Sequence, residues 1–215
     1  MPSDQSIRQP RQDRSRHTLE AVLDAVEGLI VERGVDVLKL GEIAARAGYT
    51  TGAIYARFRD KEALLEQLFD RYVTRAMAAL DQGYTTLAAT GVDLTEALTL
   101  WGRMLIAHQR QNWSLHNAFL TRIQTEEPYR LRSRELTLHA AWVLRQVMEQ
   151  HHDCIVHDDL DRAAGMAVLI MYATIERAIT LREPASVYIL TSDDALVEEL
   201  VRVLRAYLAP LQANA

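Results

Sequence analysis

The sequence predicts an all-α protein, and three observations lead to this fold class. Proline, which helix interiors tolerate least, is absent from residues 11 to 127. Apolar residues recur at spacings of three and four, which is the period of an amphipathic helix. Runs in which apolar and polar residues alternate, as in half-buried strands, are missing at any useful length. The fold should therefore be built from packed helices.

Each predicted helix has its own apolar stripe. The first stripe lies between residues 19 and 30, and Gly34 should end that helix because glycine commonly follows a helix C-terminus. A loop is expected at residues 83–91, because glycine stands at both ends of this segment. The later stripes occupy residues 64–72, 94–105, 113–123, 129–148, 160–179 and 196–208.

Composition and charge exclude several other classes of protein. The chain has 215 residues, of which 49% are hydrophobic and 25% charged, so it is neither disordered nor collagen-like. Its single cysteine, Cys154, cannot form an intramolecular disulfide, so nothing indicates an oxidising compartment. The apolar stretch at residues 163–175 is shorter than the roughly 18 residues of a membrane span, and the polar N-terminus does not resemble a signal peptide. We expect a cytoplasmic protein without a membrane span.

Residues 40–58 carry a motif with the sequence LGEIAARAGYTTGAIYARF. Small Ala44 is followed by Gly48 and then by Ile54, a spacing that fits a helix-turn-helix. A small residue at Ala44 lets the second helix cross closely, and Gly48 supplies the backbone freedom of a tight turn. The hydroxyl of Thr50 can cap the second helix, and Ile54 and Phe58 should face inward.

The outward face of the second helix is small and nearly uncharged, with Gly52 and Ala56 pointing most nearly into solvent. Such a face can approach base edges in a major groove, where Tyr49, Thr51 and Tyr55 offer hydroxyl groups. Two cations close to this helix, at positions 57 and 61, are placed to contact phosphates. From the spacing alone, an ordinary helical hairpin within a bundle is an equally good interpretation.

Residues 18–65 contain fifteen positions that together match one family. They are Leu19, Ala25, Leu29, Gly34, Ile43, Ala44, Ala47, Gly48, Gly52, Ile54, Tyr55, Phe58, Lys61, Glu62 and Leu65. On these residues the N-terminal third resembles the tetracycline-repressor-like (TetR) family of bacterial transcriptional regulators. The remainder resembles that family only in length and helical pattern. The resemblance implies a three-helix DNA-binding head at residues 18–61, after a basic arm at 1–17, and a helical ligand-binding and dimerisation domain at 62–215.

The resemblance also implies which residues contact DNA. These are Thr50, Thr51, Gly52, Ala53, Tyr55, Arg57 and Lys61, with Tyr55 and Lys61 holding the DNA backbone. The chain departs from the family at Lys39, which cannot cap a helix as threonine does but could reach a phosphate. It departs again at Tyr49, which is either a packing residue or a base contact. Arg8, Arg11, Arg14 and Arg16 form either an arm that reaches DNA or a solvated tail.

The two C-terminal helices carry apolar residues over a wider arc than one protomer can cover. Pairing with their copies across a twofold axis would give a four-helix interface, which the family resemblance also implies. Two recognition helices related in this way should read a palindromic operator. The alternative is packing within the chain. The predicted interface residues are Ala164, Val168, Met171, Ile175, Val197, Leu200, Val201, Leu204 and Leu208.

The middle helices are rich in large, adaptable side chains with a few polar tips. Such a composition suits a pocket for a small apolar or aromatic effector, although these residues at helical spacing are also typical of an ordinary core. An effector bound there would release DNA by favouring a dimer geometry that no longer fits the operator. The predicted pocket residues are Trp101, Met104, His108, Trp113, His116, Phe119, His139, Trp142, Met171 and Tyr172.

No motif in the sequence predicts an enzyme, a cofactor or a metal site. The segment HHDCIVHDD at residues 151–159 gathers possible metal ligands, but it lacks a recognised spacing and lies where a loop with a capping aspartate should be. The chain has no GxSxG elbow, no HExxH and no phosphate-binding glycine loop. A helical interaction module without DNA binding is the alternative to a DNA-binding repressor.

Overall fold

The computed structural model describes residues 11–180 and 192–208, and the regular elements within these ranges are all helical. The prediction of an all-α fold is therefore confirmed. A short 3-10 turn, His152–Cys154, follows the sixth helix. The α-helices are α1 Arg11–Arg33, α2 Leu40–Ala47, α3 Thr51–Tyr55, α4 Lys61–Ala88, α5 Leu94–Thr125, α6 Glu127–Gln150, α7 Leu160–Thr180 and α8 Asp193–Leu208.

Helix α1 begins earlier than the predicted head. It starts at Arg11, so residues 11–17 are helical and the expected arm is wrong over this part. The reason is local, because no residue after Pro10 opposes a helix and proline is tolerated at a helix start. Residues 1–10, including Arg8, and the side chains of residues 11–14 lie outside the described part of the chain. The helix ends where predicted, and Gly34 follows it with φ at 82°.

The loop predicted at residues 83–91 is wrong in its extent. Helix α4 continues through Gly83 to Ala88, and the turn that follows contains Gly91 with φ at 64°. A helix accepts an interior glycine at a cost of about 1 kcal/mol, and here a Cβ at position 83 would overlap the sulfur of Met104. The glycine thus lets α4 and α5 approach each other closely.

Two clusters of buried apolar residues form the core. The first joins α1, α2 and α3, which we call the head, to residues 64–73 of α4 and to Leu115, Phe119 and Tyr129 of α5 and α6. The second joins the end of α4 to α5, α6, α7 and α8. Helix α4 enters both clusters, and its 28 residues span about 42 Å. It is therefore the continuous element between the head and the C-terminal bundle.

Helix α7 is the one helix in the described ranges that is long and apolar enough to cross a membrane. Its 21 residues include a window with a mean hydropathy of 1.3. The helix exceeds the apolar stretch considered in the sequence because polar residues flank that stretch within the same helix. It packs against α6 and buries Ala163, Ala167 and Met171 in the second cluster. A core helix of this composition meets the same length and hydropathy criteria as a membrane span.

Candidate functional site

The turn between α2 and α3 depends on Gly48, which adopts φ 75° and ψ 26°. This left-handed conformation is strained for residues with a Cβ and is readily accessible to glycine. The turn is closed by the backbone N–H of Tyr49, which donates to the carbonyl of Ala44 at 2.9 Å. Ala44 is buried beneath the turn, as its small side chain predicted. The helix-turn-helix geometry follows from these positions.

Helix α3 is a short helix with a capped start. The backbone N–H of Ala53 donates to Oγ1 of Thr50 at 3.2 Å, so the predicted cap is confirmed. Ile54 and Phe58 are both buried in the first cluster, which confirms that they face inward. The inward residues therefore fix the side that α3 turns to solvent.

The solvent side of α3 consists of small and hydroxyl-bearing residues. Tyr55 is the largest exposed side chain of this helix, while Ala53 is half-buried on its flank. Tyr49 is half-buried and packs against the first cluster, which matches the packing interpretation of this residue. Lys39 occupies the N-cap position of α2 without a side-chain capping bond and is exposed. Thr51, Gly52, Tyr55, Ala56 and Arg57 are exposed together.

The two predicted phosphate-binding cations already have partners within the chain. Arg57 donates to Oγ of Ser15 on α1 at 2.8 Å, and Nζ of Lys61 donates to the carbonyl of Val35 at 3.5 Å. Arg57 is exposed and can exchange this neutral partner for an anion. Lys61 is half-buried at the first residue of α4, so it also ties that helix to the turn after α1.

A group of ion pairs holds the head against α4, and sequence reasoning did not predict it. The side chain of Arg71 is 9% exposed and contacts three carboxylates of α1, Glu20 at 3.1 Å, Asp24 at 2.6 Å and Glu27 at 2.5 Å. Arg75 adds a second contact to Glu27 at 3.1 Å. Acidic residues spaced by three and four on α1 were a signal for such a cluster, but their partner is 44 to 51 residues away along the chain.

A cavity of about 190 Å³ lies between α4, α5, α6 and α7. Of the predicted pocket residues, Met104, His108 and Tyr172 line it. His116 is buried next to it, with its Nε2 atom 3.3 Å from the hydroxyl of Tyr172. The lining residues are Tyr72, Ala76, Ala79, Leu80, Met104, Leu105, His108, Gln109, Ser133, Leu136, Thr137, Ala140, Val168, Leu169 and Tyr172.

Besides His116, six predicted pocket residues do not line this cavity. Phe119 belongs to the first cluster, where its ring lies 5.0 Å from that of Phe69, and Met171 is fully buried in the second cluster. His139 pairs with Asp81 at 2.8 Å at the surface. The remaining three are Trp101, which lines a separate shallow pocket, Trp113, which packs on the second cluster, and Trp142, which is exposed.

Sequence reasoning missed most of the cavity wall, in particular Tyr72, Gln109, Ser133 and Thr137. One signal was present in the sequence, because Gln109 occupies an apolar position three residues after Ile106 on the buried face of α5. Burial raises the pKa of Tyr72 to about 12, and burial lowers the pKa of His116 to about 4. Both groups are therefore uncharged near neutral pH.

The predicted dimer residues are buried within the protomer, so the prediction that they form an interface is wrong. The apolar faces that contain them pack against α5 and α6 within the second cluster. These residues are Ala164, Val168, Met171, Ile175, Val197, Leu200, Val201, Leu204 and Leu208. A different set of large apolar residues on the same two helices is exposed, namely Met166, Leu169, Tyr172 and Val203.

The segment from residue 151 to 159 forms a structural connection between α6 and α7. Oδ1 of Asp159 accepts from the backbone N–H of Arg162 at 2.9 Å, so the predicted capping aspartate is confirmed. The backbone hydrogen bond lowers the pKa of Asp159. His157 is paired with the hydroxyl of Tyr207 at 3.1 Å. In residues 11–180 and 192–208, no three His, Cys, Asp or Glu side chains are grouped so that they could hold a metal ion.

Sequence comparisons place the N-terminal part of the chain among known regulators. Residues 22–68 match a family described as bacterial regulatory proteins, tetR family. Over 54 residues the chain is 46% identical to the HTH-type transcriptional repressor BepR of Brucella suis, covering 25% of this chain and 26% of BepR. The aligned part thus spans about a quarter of that relative. An uncharacterized HTH-type transcriptional regulator of Mycobacterium bovis is 26% identical over 188 residues, covering 87% of this chain and 92% of that protein.

Solved structures share the fold over nearly the whole chain. A TetR family transcription regulator from Marinobacter aquaeolei superposes with a TM-score of 0.64 at 18% identity, covering 92% of this chain and 98% of that one. RolR in complex with resorcinol superposes with a TM-score of 0.57 at 24% identity, covering 94% of this chain and 92% of RolR. Residues 22–68, which contain the helix-turn-helix, thus match the tetR family of bacterial regulatory proteins, and the chain as a whole shares the fold of solved regulators of that family.

Proposed function

We propose that this chain is a transcriptional repressor that binds a palindromic operator as a homodimer and is released by a small, largely apolar or aromatic effector. The observation that carries the proposal is the path of α4. This helix follows α3 after a turn of five residues, packs against the head, and then lines the cavity through Tyr72, Ala76, Ala79 and Leu80. A ligand that changes the cavity wall therefore acts on the element that orients the head.

The proposed DNA surface combines the outward side of α3 with exposed groups around it. Small residues allow α3 to approach base edges, and the hydroxyl and cationic groups reach bases and phosphates. Tyr55 and Lys61 hold the DNA backbone, and Lys39 adds a phosphate contact at the start of α2. The proposed contact residues are Lys39, Tyr49, Thr50, Thr51, Gly52, Ala53, Tyr55, Arg57 and Lys61.

The proposed dimer uses the exposed apolar side of α7 and α8. Met166, Leu169 and Tyr172 on α7 and Val203 on α8 leave an apolar surface open to solvent. Pairing with a second copy across a twofold axis buries this surface in a four-helix interface. Two heads related by the same axis fit the two halves of a palindrome. A change in cavity geometry would alter the separation of the heads.

The junction between the head and the bundle supports this coupling. Arg122 of α5 forms a close ion pair with Glu62, in the first turn of α4, and a second ion pair with Glu126 at 3.2 Å. Its guanidinium carbon lies 5.6 Å from the centre of the Tyr129 ring. Because these contacts join α5 to α6 and to the start of α4, a movement of α5 relative to α6 also shifts the start of α4.

The names of two similar proteins support the proposed repressor role and the proposed aromatic effector. BepR is named a repressor, and RolR has been solved with the aromatic ligand resorcinol. A regulator of this kind acts in the cytoplasm, where its partners are double-stranded DNA, the effector and a second copy of itself. It requires no catalytic group, cofactor or membrane.

The test is binding of the purified protein to DNA from upstream of its own gene, against scrambled DNA, at two salt concentrations. We expect preferential binding to the upstream DNA that weakens as salt rises. Arg57→Ala should weaken binding to both DNAs and lower the salt dependence by about one phosphate contact in each operator half-site. The control is Arg103→Ala, which removes one exposed cation of α5 that pairs with Asp194 and should leave the salt dependence unchanged.

Two outcomes would contradict the proposal. If upstream DNA and DNA from other promoters bind no better than scrambled sequences, the chain lacks operator specificity. If no DNA binds even at low salt, the protein is a helical interaction module, and substitutions at Thr50, Tyr55 and Lys61 should then change no measurable activity.

A further inference from the structure

Two hydrogen-bond donors in the wall of the cavity have no partner in the described part of the chain. Gln109 is only 3% exposed, and its amide nitrogen Nε2 is buried without an acceptor at normal hydrogen-bond distance, although the Gln109 side chain interacts weakly with the hydroxyl of Tyr172. The neighbouring His108 also lines the cavity, and its Nε2 atom is likewise buried without a partner. A buried polar group without a hydrogen bond lowers stability, so a ligand that supplies an acceptor gains binding energy here.

The hydrogen bonds of Asn112 determine which nitrogen of His108 carries the proton. The amide nitrogen of Asn112 donates to the backbone carbonyl of His108 at 2.9 Å, which fixes the orientation of the amide. The same nitrogen lies 3.4 Å from Nδ1 of His108, which must therefore accept. Burial lowers the pKa of His108, so the ring is neutral and its proton resides on Nε2. The unpartnered Nε2 atom is thus a donor, as is the amide of Gln109.

The rest of the wall carries no formal charge. Among its fifteen lining residues there is no Asp, Glu, Lys or Arg. The hydroxyl of Thr137 is already used, because it donates to the carbonyl of Ser133 at 3.1 Å. The charge of nearby Glu176 contributes to raising the pKa of Tyr72, and the same negative field opposes a bound anion. An anionic ligand would therefore lose its hydration without gaining an opposite charge.

The volume of the cavity matches a ligand of about one ring. Its volume is about 190 Å³. For comparison, an engineered apolar cavity of about 150 Å³ accommodates benzene. A single ring with a short substituent is therefore the compound that fills this space.

We propose that the cavity binds an uncharged, single-ring carbonyl compound whose oxygen accepts hydrogen bonds from Gln109 and His108. A carbonyl oxygen has two lone pairs and no proton, so it matches two donors better than a hydroxyl group does. The apolar wall contacts the ring. This assignment rests on the proposed function only in treating the cavity as the effector site.

The test uses three probes of similar size that differ in one property each. Acetophenone is uncharged and has an acceptor, ethylbenzene is uncharged without an acceptor, and benzoate has acceptors and a negative charge. Calorimetric titration of the purified full-length protein should show that acetophenone binds about tenfold tighter than ethylbenzene and tighter than benzoate, because only acetophenone satisfies the buried donors without introducing charge.

Variants then connect this preference to the named side chains. Gln109→Leu removes a donor at similar volume, so it should weaken acetophenone binding about tenfold and leave ethylbenzene binding unchanged or tighter. The matched control is Thr137→Val, which alters a hydroxyl of the same wall that already has a partner and should keep the preference. The probe series on the unmodified protein needs no variant, so a folding defect of Gln109→Leu leaves the test intact.

Several outcomes would overturn the assignment. These are equal binding of acetophenone and ethylbenzene, tighter binding of benzoate, an unchanged acetophenone affinity in folded Gln109→Leu, or no binding of any probe. Operator release is measured separately. If acetophenone binds but does not release the operator, the proposed function is contradicted and the proposed ligand class stands. If a charged compound occupies this cavity and releases the operator, the proposed function stands and the proposed ligand class is wrong.

Discussion

At the scale of single residues, Gly48 determines the angle at which α3 leaves α2. Its positive φ is strained for alanine, so Gly48→Ala should lower the free energy of unfolding by about 1–2 kcal/mol. Gly41 is the matched control, because it lies inside α2 with open space where a Cβ would be. Gly41→Ala should raise the free energy of unfolding by about 0.5–1 kcal/mol. Denaturant unfolding measures both changes in the free energy of unfolding. Changes of the same sign in the two variants would contradict the role assigned to Gly48.

His116 should make stability depend on pH. Burial lowers its pKa from 6.5 to about 4, so between these values the unfolded chain binds a proton that the folded chain does not. The free energy of unfolding should therefore fall as pH decreases from about 6.5 to 4, by up to roughly 3 kcal/mol from this residue. His116→Gln keeps a polar side chain beside Tyr172 and does not titrate.

Unfolding titrations across this range provide the measurement. The carboxylates titrate in both proteins, so their contribution cancels when the unmodified protein is compared with His116→Gln. The unmodified protein should lose roughly 2–3 kcal/mol more than the variant between pH 7 and pH 4.5. If the free energies of unfolding of the two proteins change equally with pH, the pKa of His116 is the same in the folded and the unfolded chain.

Residues whose role is local could be predicted from the sequence. Gly48, Thr50 and Ile54 act through the backbone of their own turn or helix, and their spacing alone indicated those roles. Gln109 and Ser133 could not be assigned in this way. They form one cavity wall only because α5 and α6 pack side by side, and no local pattern records which faces of two helices meet.

At the scale of elements, Arg71 fastens α1 to α4. Arg71→Met should lower the free energy of unfolding by about 2 kcal/mol, because it leaves three carboxylates without their shared cation. Arg75 is the matched control on the same helix, since its side chain is 53% exposed and contacts Glu27 from solvent. Arg75→Met should cost less than about 1 kcal/mol.

The two variants also differ in their response to salt. Added salt should reduce the small effect of Arg75→Met further, whereas most of the effect of Arg71→Met should persist because its guanidinium is nearly buried. Chemical unfolding by urea at low and high sodium chloride compares them. Equal losses in stability would indicate that burial of Arg71 contributes nothing beyond a surface ion pair.

The error in the predicted dimer face also belongs to the scale of elements. Helix α7 is apolar on two sides, and its sequence does not distinguish the side that packs on α6 from the side that stays exposed. Val168 and Met171 lie on the packed side, while Met166 and Leu169 lie on the exposed one. Only the positions of α5 and α6 in the bundle separate the two sides.

At the scale of the whole molecule, the exposed apolar side of α7 should hold two copies together. Leu169 is 60% exposed, so Leu169→Arg should place a charge in the proposed interface and yield monomers. Val31 of α1 is equally exposed at 60% and lies in the head, so Val31→Arg should leave the dimer intact. Sedimentation across a concentration series distinguishes these states, and a dimeric Leu169→Arg protein would exclude this face.

The passage of α4 through both clusters has a consequence for recombination between regulators. The head buries side chains against residues 64–73 of α4 and against Leu115, Phe119 and Tyr129, all of which lie outside the head itself. A fragment that ends at residue 61 would expose these contacts to water and lack a closed core. Grafting a foreign head onto this bundle therefore requires a crossover beyond Val73 together with matched residues on α5 and α6. The proposed operator specificity and effector response would consequently be inherited together when segments of this chain are exchanged.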